Sequence, residues 1–157
     1  MIFAAIGMLL IGTTSLAVRS LHDEEEVRCM ALNLYHESRS ESRLSRFAVG
    51  QVVFNRVESP KFPDTVCGVV KQGEHEGGVP LRNRCQFSWY CDGRNDDPRD
   101  RLAFREAVML SRFLIATKGY LPDLTEGATH YHADYVMPRW AFKYKRLFKL
   151  DRHIFYK

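Results

Sequence analysis

The stretch Leu32-Asn33-Leu34-Tyr35-His36-Glu37 ends with a carboxylate on the side of a helix that should face a core. Val27, Met30, Ala31 and Leu34 recur at i, i+3, i+4 and i+7, the apolar stripe of a helix packed on one side. Glu37 stands seven residues after Met30 and three after Leu34, so its side chain points along that stripe at the C-terminal end. Burial and the negative pole of the helix both disfavour its charged form. A carboxylic acid kept protonated near neutral pH is what a general acid needs. The plainer alternative is that Glu37 reaches solvent or pairs with Arg39 or Arg43.

A second group of chemically able residues lies between two cysteines. Gln86, Phe87, Ser88, Trp89 and Tyr90 place amide, hydroxyl and aromatic groups together between Cys85 and Cys91. Such a set suits a carbohydrate, whose apolar sugar faces stack on rings while hydroxyl and N-acetyl groups take hydrogen bonds. Phe87 and Trp89 read equally well as anchors of the loop in the core. Tyr131 and His132, with His130, form a further set available to a cleft. Gln51 and Asn55, one turn apart on a buried helix, must be hydrogen-bonded; they either brace Glu37, line a cleft or bond a neighbouring loop.

Several ordered blocks resemble one family. Cys29 to Arg39, Gly50 to Val57, Phe62 to Val70, Cys85-Gln86-Phe87-Ser88-Trp89 with Asp92-Gly93, Gly127 to His132 and Arg152 to Tyr156 are similar to the cell-wall hydrolase family of the spore-cortex-lytic enzymes SleB and CwlJ. The resemblance spans about residues 27–156. It implies a lysozyme-like, mainly helical fold that cleaves peptidoglycan glycan strands, with the glutamate of the Tyr-His-Glu block, here Glu37, as acid/base. Two positions depart from the family pattern. Ser40 stands where glycine is usual after the glutamate, and Asp151 where glycine often precedes the last block. A non-glycine residue fits there only if the backbone tolerates it.

The resemblance leans towards a lytic transglycosylase, with Gln86, Ser88, Trp89, Tyr131 and His132 holding the strand. A hydrolase would need a second carboxylate, for which Asp92 and Glu41 are candidates. An amidase cutting between muramic acid and the stem peptide is the alternative. Its zinc would draw on His36, His130, His132 and His153, but the chain lacks His-Glu-x-x-His, and no metal or other cofactor is expected. A third possibility is a peptidoglycan-binding module without activity.

The elements that must position these residues follow from pattern. Asp23 reads as an N-cap of the first helix, with Glu26 completing a capping box. A central second helix is expected over about Ser45 to Val57, and a short one over about Thr65 to Gln72. Residues 59–97 are rich in Pro, Gly, Asn and Asp and read as a long functional loop region. A third helix should start at Asp97-Pro98 and end near Gly119. Ala128 to Ala133 and Leu150 to Tyr156 read as short strands or extended segments. The fold class is therefore α+β, mainly helical, a single domain with a disulfide-braced loop region and short strands.

With 157 residues and 45% hydrophobic content, the chain supports one domain with a real core. A net charge of +4, scattered along the chain, suits an anionic wall polymer. No nucleic-acid-binding signature accompanies it, and a monomer is expected. Residues 1–18 carry no charged side chain and end in Ser15-Leu16-Ala17, as a signal peptide or retained membrane anchor would. Residues 27–157 would then form the catalytic domain, exported to the periplasm or cell envelope, and inner-membrane anchored if the segment is retained. Cys29, Cys67, Cys85 and Cys91 allow three pairings; Cys85 with Cys91 and Cys29 with Cys67 are favoured on proximity. A four-cysteine zinc site would need close cysteine pairs, which spacings of 38, 18 and 6 do not supply.

Overall fold

The computed structural model describes residues 23–157. The leader or anchor expected at residues 1–18 lies outside them. Helix α1 covers 23–38 within the described residues, followed by α2 (Arg43–Val57), α3 (Val66–Val70) and α4 (Arg101–Ala116). The strands are β1 (Gly73–Glu76), β2 (Val79–Cys85), β3 (His130–Ala133), β4 (Arg146–Leu150) and β5 (His153–Tyr156). β1 and β2 form a hairpin; β3, β5 and β4 form an antiparallel sheet in that order. The molecule is mainly helical with short strands.

The apolar stripe of α1 and the nearly all-round apolar α2 meet in one core. Met30 and Leu34 are fully buried with Val49, Val52 and Val53, joined by Val69, Leu114 and Phe155. A smaller cluster of Ala141, Ile154 and Tyr156, with Trp140 against it, lies on the other side of the sheet. Two disulfides tie the loops to this core. Cys29–Cys67 joins α1 to α3, and Cys85–Cys91 closes the aromatic loop, which turns as a 3-10 helix over Ser88–Cys91.

Some expectations need correction. Asp23 is already helical and Glu26 closes no capping box; its carboxylate accepts hydrogen bonds from the Val66 and Cys67 amides (2.7 and 3.1 Å) and so caps α3 together with Thr65. The helix expected from Asp97-Pro98 begins later, because Asp100 takes the cap position and accepts from the Leu102 and Ala103 amides. Within the 59–97 region the β1–β2 hairpin turns on Gly77 and Gly78, both at positive φ (57° and 82°). Its strands are largely exposed on both faces, so no apolar alternation announces them.

The two departures from the family pattern resolve differently. Ser40 is not among the positive-φ residues, so serine replaces glycine there without strain. Asp151 does sit at φ +48° in the β4–β5 turn. Aspartate tolerates that region better than most residues. Here its carboxylate also accepts a hydrogen bond from the Ser42 amide (2.8 Å), at the N-cap of α2.

Candidate active site

Glu37 lies in the last turn of α1, one turn beyond Asn33 on the same face. The residue keeps some exposure, but its carboxyl sits deep among neighbouring atoms. Burial therefore raises its pKa above 4.5, against a hydrogen bond from Tyr131 and the positive charge of Arg56, which pull it down. The Tyr131 hydroxyl donates to Glu37 Oε2 at 3.1 Å. Burial first, and the Glu37 charge second, hold the Tyr131 phenol well above its usual pKa, so it stays a neutral donor.

Strand β3 delivers Tyr131 because side chains alternate across a strand. Tyr131 faces α1 and packs edge-on to His153 (5.1 Å between centroids) and against Phe155. His132, expected at the cleft, must point the other way: it is buried, stacked on Tyr156, and its Nε2 is 2.8 Å from the Tyr156 hydroxyl. His132 is thus part of the smaller apolar cluster and does not face Glu37.

Two residues that sequence reasoning passed over complete the surroundings of Glu37. Arg56, near the end of α2, is buried; its Nε donates to the Thr129 carbonyl (2.7 Å) and its guanidinium lies over the Phe62 and Phe87 rings. Its Nη1 is buried with no hydrogen-bond partner among the described residues. Asn33 is fully buried, accepts a hydrogen bond from Trp89 Nε1 (3.2 Å) and leaves its own Nδ2 unpartnered among the described residues. An arginine ending a helix ordinarily reads as a solvated cap and a mid-helix asparagine as a surface residue. The one available signal was that α2 is apolar around most of its circumference, leaving Arg56 no solvent side.

The aromatic loop splits by alternation. Phe87 and Trp89 are both buried and anchor it; Trp89 stacks on His36 at 4.6 Å and does not present its face to solvent. Gln86 and Ser88, on either side of Phe87, are exposed. Gln51 and Asn55 do not contact Glu37. Gln51 donates to the Pro122 carbonyl and accepts from the Leu124 amide, while Asn55 donates to Asp123, Thr125 and the Ala128 carbonyl. They fix the 122–128 loop that leads into β3, and so position Tyr131 from a distance.

The candidate second carboxylates are engaged elsewhere. Glu41 pairs with the Arg152 guanidinium (2.5 Å), and Asp92 accepts from the Arg94 amide (2.8 Å). The histidines are likewise dispersed: His36 bonds the Asp96 carbonyl, His130 the Thr129 hydroxyl, and His153 the Ser45 hydroxyl. Among the described residues no three His, Cys, Asp or Glu side chains converge as a metal-ligand group.

Set against known proteins, residues 40–156 match the profile of the Cell Wall Hydrolase family, a stretch that starts just after Glu37. A spore cortex-lytic enzyme of Halalkalibacterium halodurans is 31% identical over 85% of this chain, which spans 35% of that relative's length. The catalytic domain of the Bacillus cereus SleB protein superposes with a TM-score of 0.59 at 30% identity, covering 85% of this chain and 91% of that one. The catalytic domain of the germination-specific lytic transglycosylase SleB from Bacillus anthracis does so with the same TM-score at 28% identity, over 84% and 93%.

Proposed function

Because the chain belongs to the cell wall hydrolase family, we propose that it is exported and cleaves peptidoglycan glycan strands between N-acetylmuramic acid and N-acetylglucosamine as a lytic transglycosylase, with Glu37 as the single acid/base. The observation that carries this reading is a carboxyl held towards its protonated form by burial, with a neutral phenol at 3.1 Å and, among the described residues, no second carboxylate acting on it.

With Tyr131 bonded to Oε2, the proton of Glu37 is available on Oε1. It passes to the glycosidic oxygen, the bond to muramic C1 breaks, and the N-acetylglucosamine side leaves with a free hydroxyl. Positive charge develops at C1 while Glu37 becomes a carboxylate, stabilised by the Tyr131 hydroxyl and the Arg56 charge. That carboxylate takes the proton of the muramic C6 hydroxyl. O6 then closes on C1, giving a 1,6-anhydro end and returning Glu37 to its acid form. Water does not enter the balance. Gln86 and Ser88 are left, of the aromatic loop, to hydrogen-bond the strand.

The SleB domain described as a lytic transglycosylase supports the same reaction by similarity of fold and sequence. An amidase reading has no converging donor set among the described residues to support it. Mass spectrometry of fragments released from purified peptidoglycan, by the oxidised protein and by Glu37→Gln, tests the proposal. Anhydro-ended muropeptides from the wild type, reduced about 10²- to 10⁴-fold in the variant, are expected. Reducing ends would replace the transglycosylase step with hydrolysis, and free stem peptides on intact glycan would overturn the glycosidic reading.

A further inference from the structure

An open cavity of about 370 Å³ is walled by Lys61, Phe62, Thr129, His130, Tyr144 and Lys157 among others, and two of these walls, the Phe62 ring and the Thr129 carbonyl, are groups that Arg56 contacts. Arg56 stands behind this wall, between the Phe62 ring and the Thr129 carbonyl, and its charge is felt by Glu37 and His130 alike. The cavity is cationic. Lys61 and Lys157 form no ion pair among the described residues, while the one acidic residue of the wall, Glu58, is paired with Lys118 at 3.8 Å. His130 is neutral at physiological pH, because burial and the charges of Arg56 and Lys61 depress its pKa to about 4. It packs on Tyr144 at 4.0 Å between centroids. The walls thus offer two exposed lysine cations, Lys157 Nζ donating to the Glu126 carbonyl at 3.3 Å, together with the aromatic faces of Phe62 and Tyr144.

The sugar rings of the glycan strand are uncharged and give lysines nothing to pair with. The muramic residue differs, since its lactyl ether carries a stem peptide with free carboxylates and aliphatic side chains. Resting on the glycosidic reading above, we infer that this cavity binds the anionic stem peptide of the muramic acid whose bond is cut, so that the enzyme prefers peptide-bearing strands to strands without peptide. Lys61 and Lys157 pair with peptide carboxylates, and Phe62 and Tyr144 cover the aliphatic part.

The test compares initial cleavage rates on intact glycan strands and on the same strands stripped of peptide by an amidase and then amidated at the exposed lactyl carboxylate, so that no anion remains on the ether. The wild type should favour intact strands about tenfold, since two exposed ion pairs contribute modestly each. In Lys61→Glu/Lys157→Glu that ratio should fall towards one. Raising the salt concentration with the wild type, which needs no variant to fold, should lower it in the same way. Equal wild-type rates on both substrates, or a preference that survives charge reversal and salt, overturns the subsite while leaving the glycosidic reading intact. Absence of glycan cleavage on either substrate overturns both.

Discussion

Glu37 and Tyr131 act on each other's protons in opposite directions, and that gives the residue-scale reading a pH signature. The Tyr131 hydrogen bond lowers the Glu37 pKa, so removing it in Tyr131→Phe raises that pKa further. The basic limb of the kcat/KM profile should therefore move to higher pH while kcat falls, because the carboxylate formed on proton transfer loses its donor. A purely structural tyrosine would lower activity without moving the limb. Stability carries the same information. The folded pKa of Glu37 lies above the unfolded value of 4.5, so its contribution is full below that value and is lost as pH rises through the folded pKa. In Glu37→Gln this loss disappears, and the gain in Tm over the wild type should widen as pH rises above 4.5. An unchanged gap would mean that the carboxyl is not desolvated. Glu37 was legible because helical spacing left a core-facing position as one of two readings and the resemblance of the Tyr-His-Glu block favoured it. Arg56 was legible only through the apolar circumference of α2, and Asn33 not at all, since the packed neighbours alone show that its side chain has no route to water. Strand alternation separates His132 from Tyr131, since adjacent residues of a strand cannot both face one cleft.

Elements here are held by side chains far away in sequence, and local pattern misjudged them for that reason. Glu26 illustrates it. Helical spacing assigns it to the start of its own helix, but a carboxylate that reaches two free amides of another helix is better used there. Glu26→Ala should cost about 1 kcal/mol, read as a lower denaturation midpoint at unchanged slope, and should leave the helix content of α1 intact. The β4–β5 turn makes a similar long-range link through Asp151 and the Ser42 amide. Asp151→Gly loses the link but relieves the positive φ, whereas Asp151→Ala loses the link and keeps the strain. Thermal melts should therefore rank wild type above the glycine variant and the alanine variant last. Gln51 and Asn55 were foreseen as satisfied polar groups on a buried helix; which loop satisfies them was not, because the partner segment lies about seventy residues on.

At the scale of the whole molecule, the single core was legible from composition and helix spacing, and the cysteine pairing from proximity, yet the two disulfides do different work. Cys29–Cys67 closes a loop with a sequence separation of 38 and anchors α1, the helix that carries Glu37, to α3. Cys85–Cys91 closes a loop with a separation of 6 that carries Gln86 and Ser88. Loop-closure entropy assigns about 4 kcal/mol to the longer loop and about 2 kcal/mol to the shorter. Cys29→Ala/Cys67→Ala should therefore lower Tm more than Cys85→Ala/Cys91→Ala. Kinetics should show the reverse split at temperatures where both variants are folded. Opening the short loop frees Gln86 and Ser88, the exposed polar groups proposed to hold the glycan, and should raise KM with little change in kcat, because Glu37, Tyr131 and Arg56 are untouched. Opening the long loop loosens the catalytic helix relative to the core and should lower kcat as the melt is approached. If the short-loop variant instead loses kcat at constant KM, the aromatic loop acts through Trp89 and Asn33 on the setting of Glu37, and the polar groups between its cysteines are not the ones that hold the glycan.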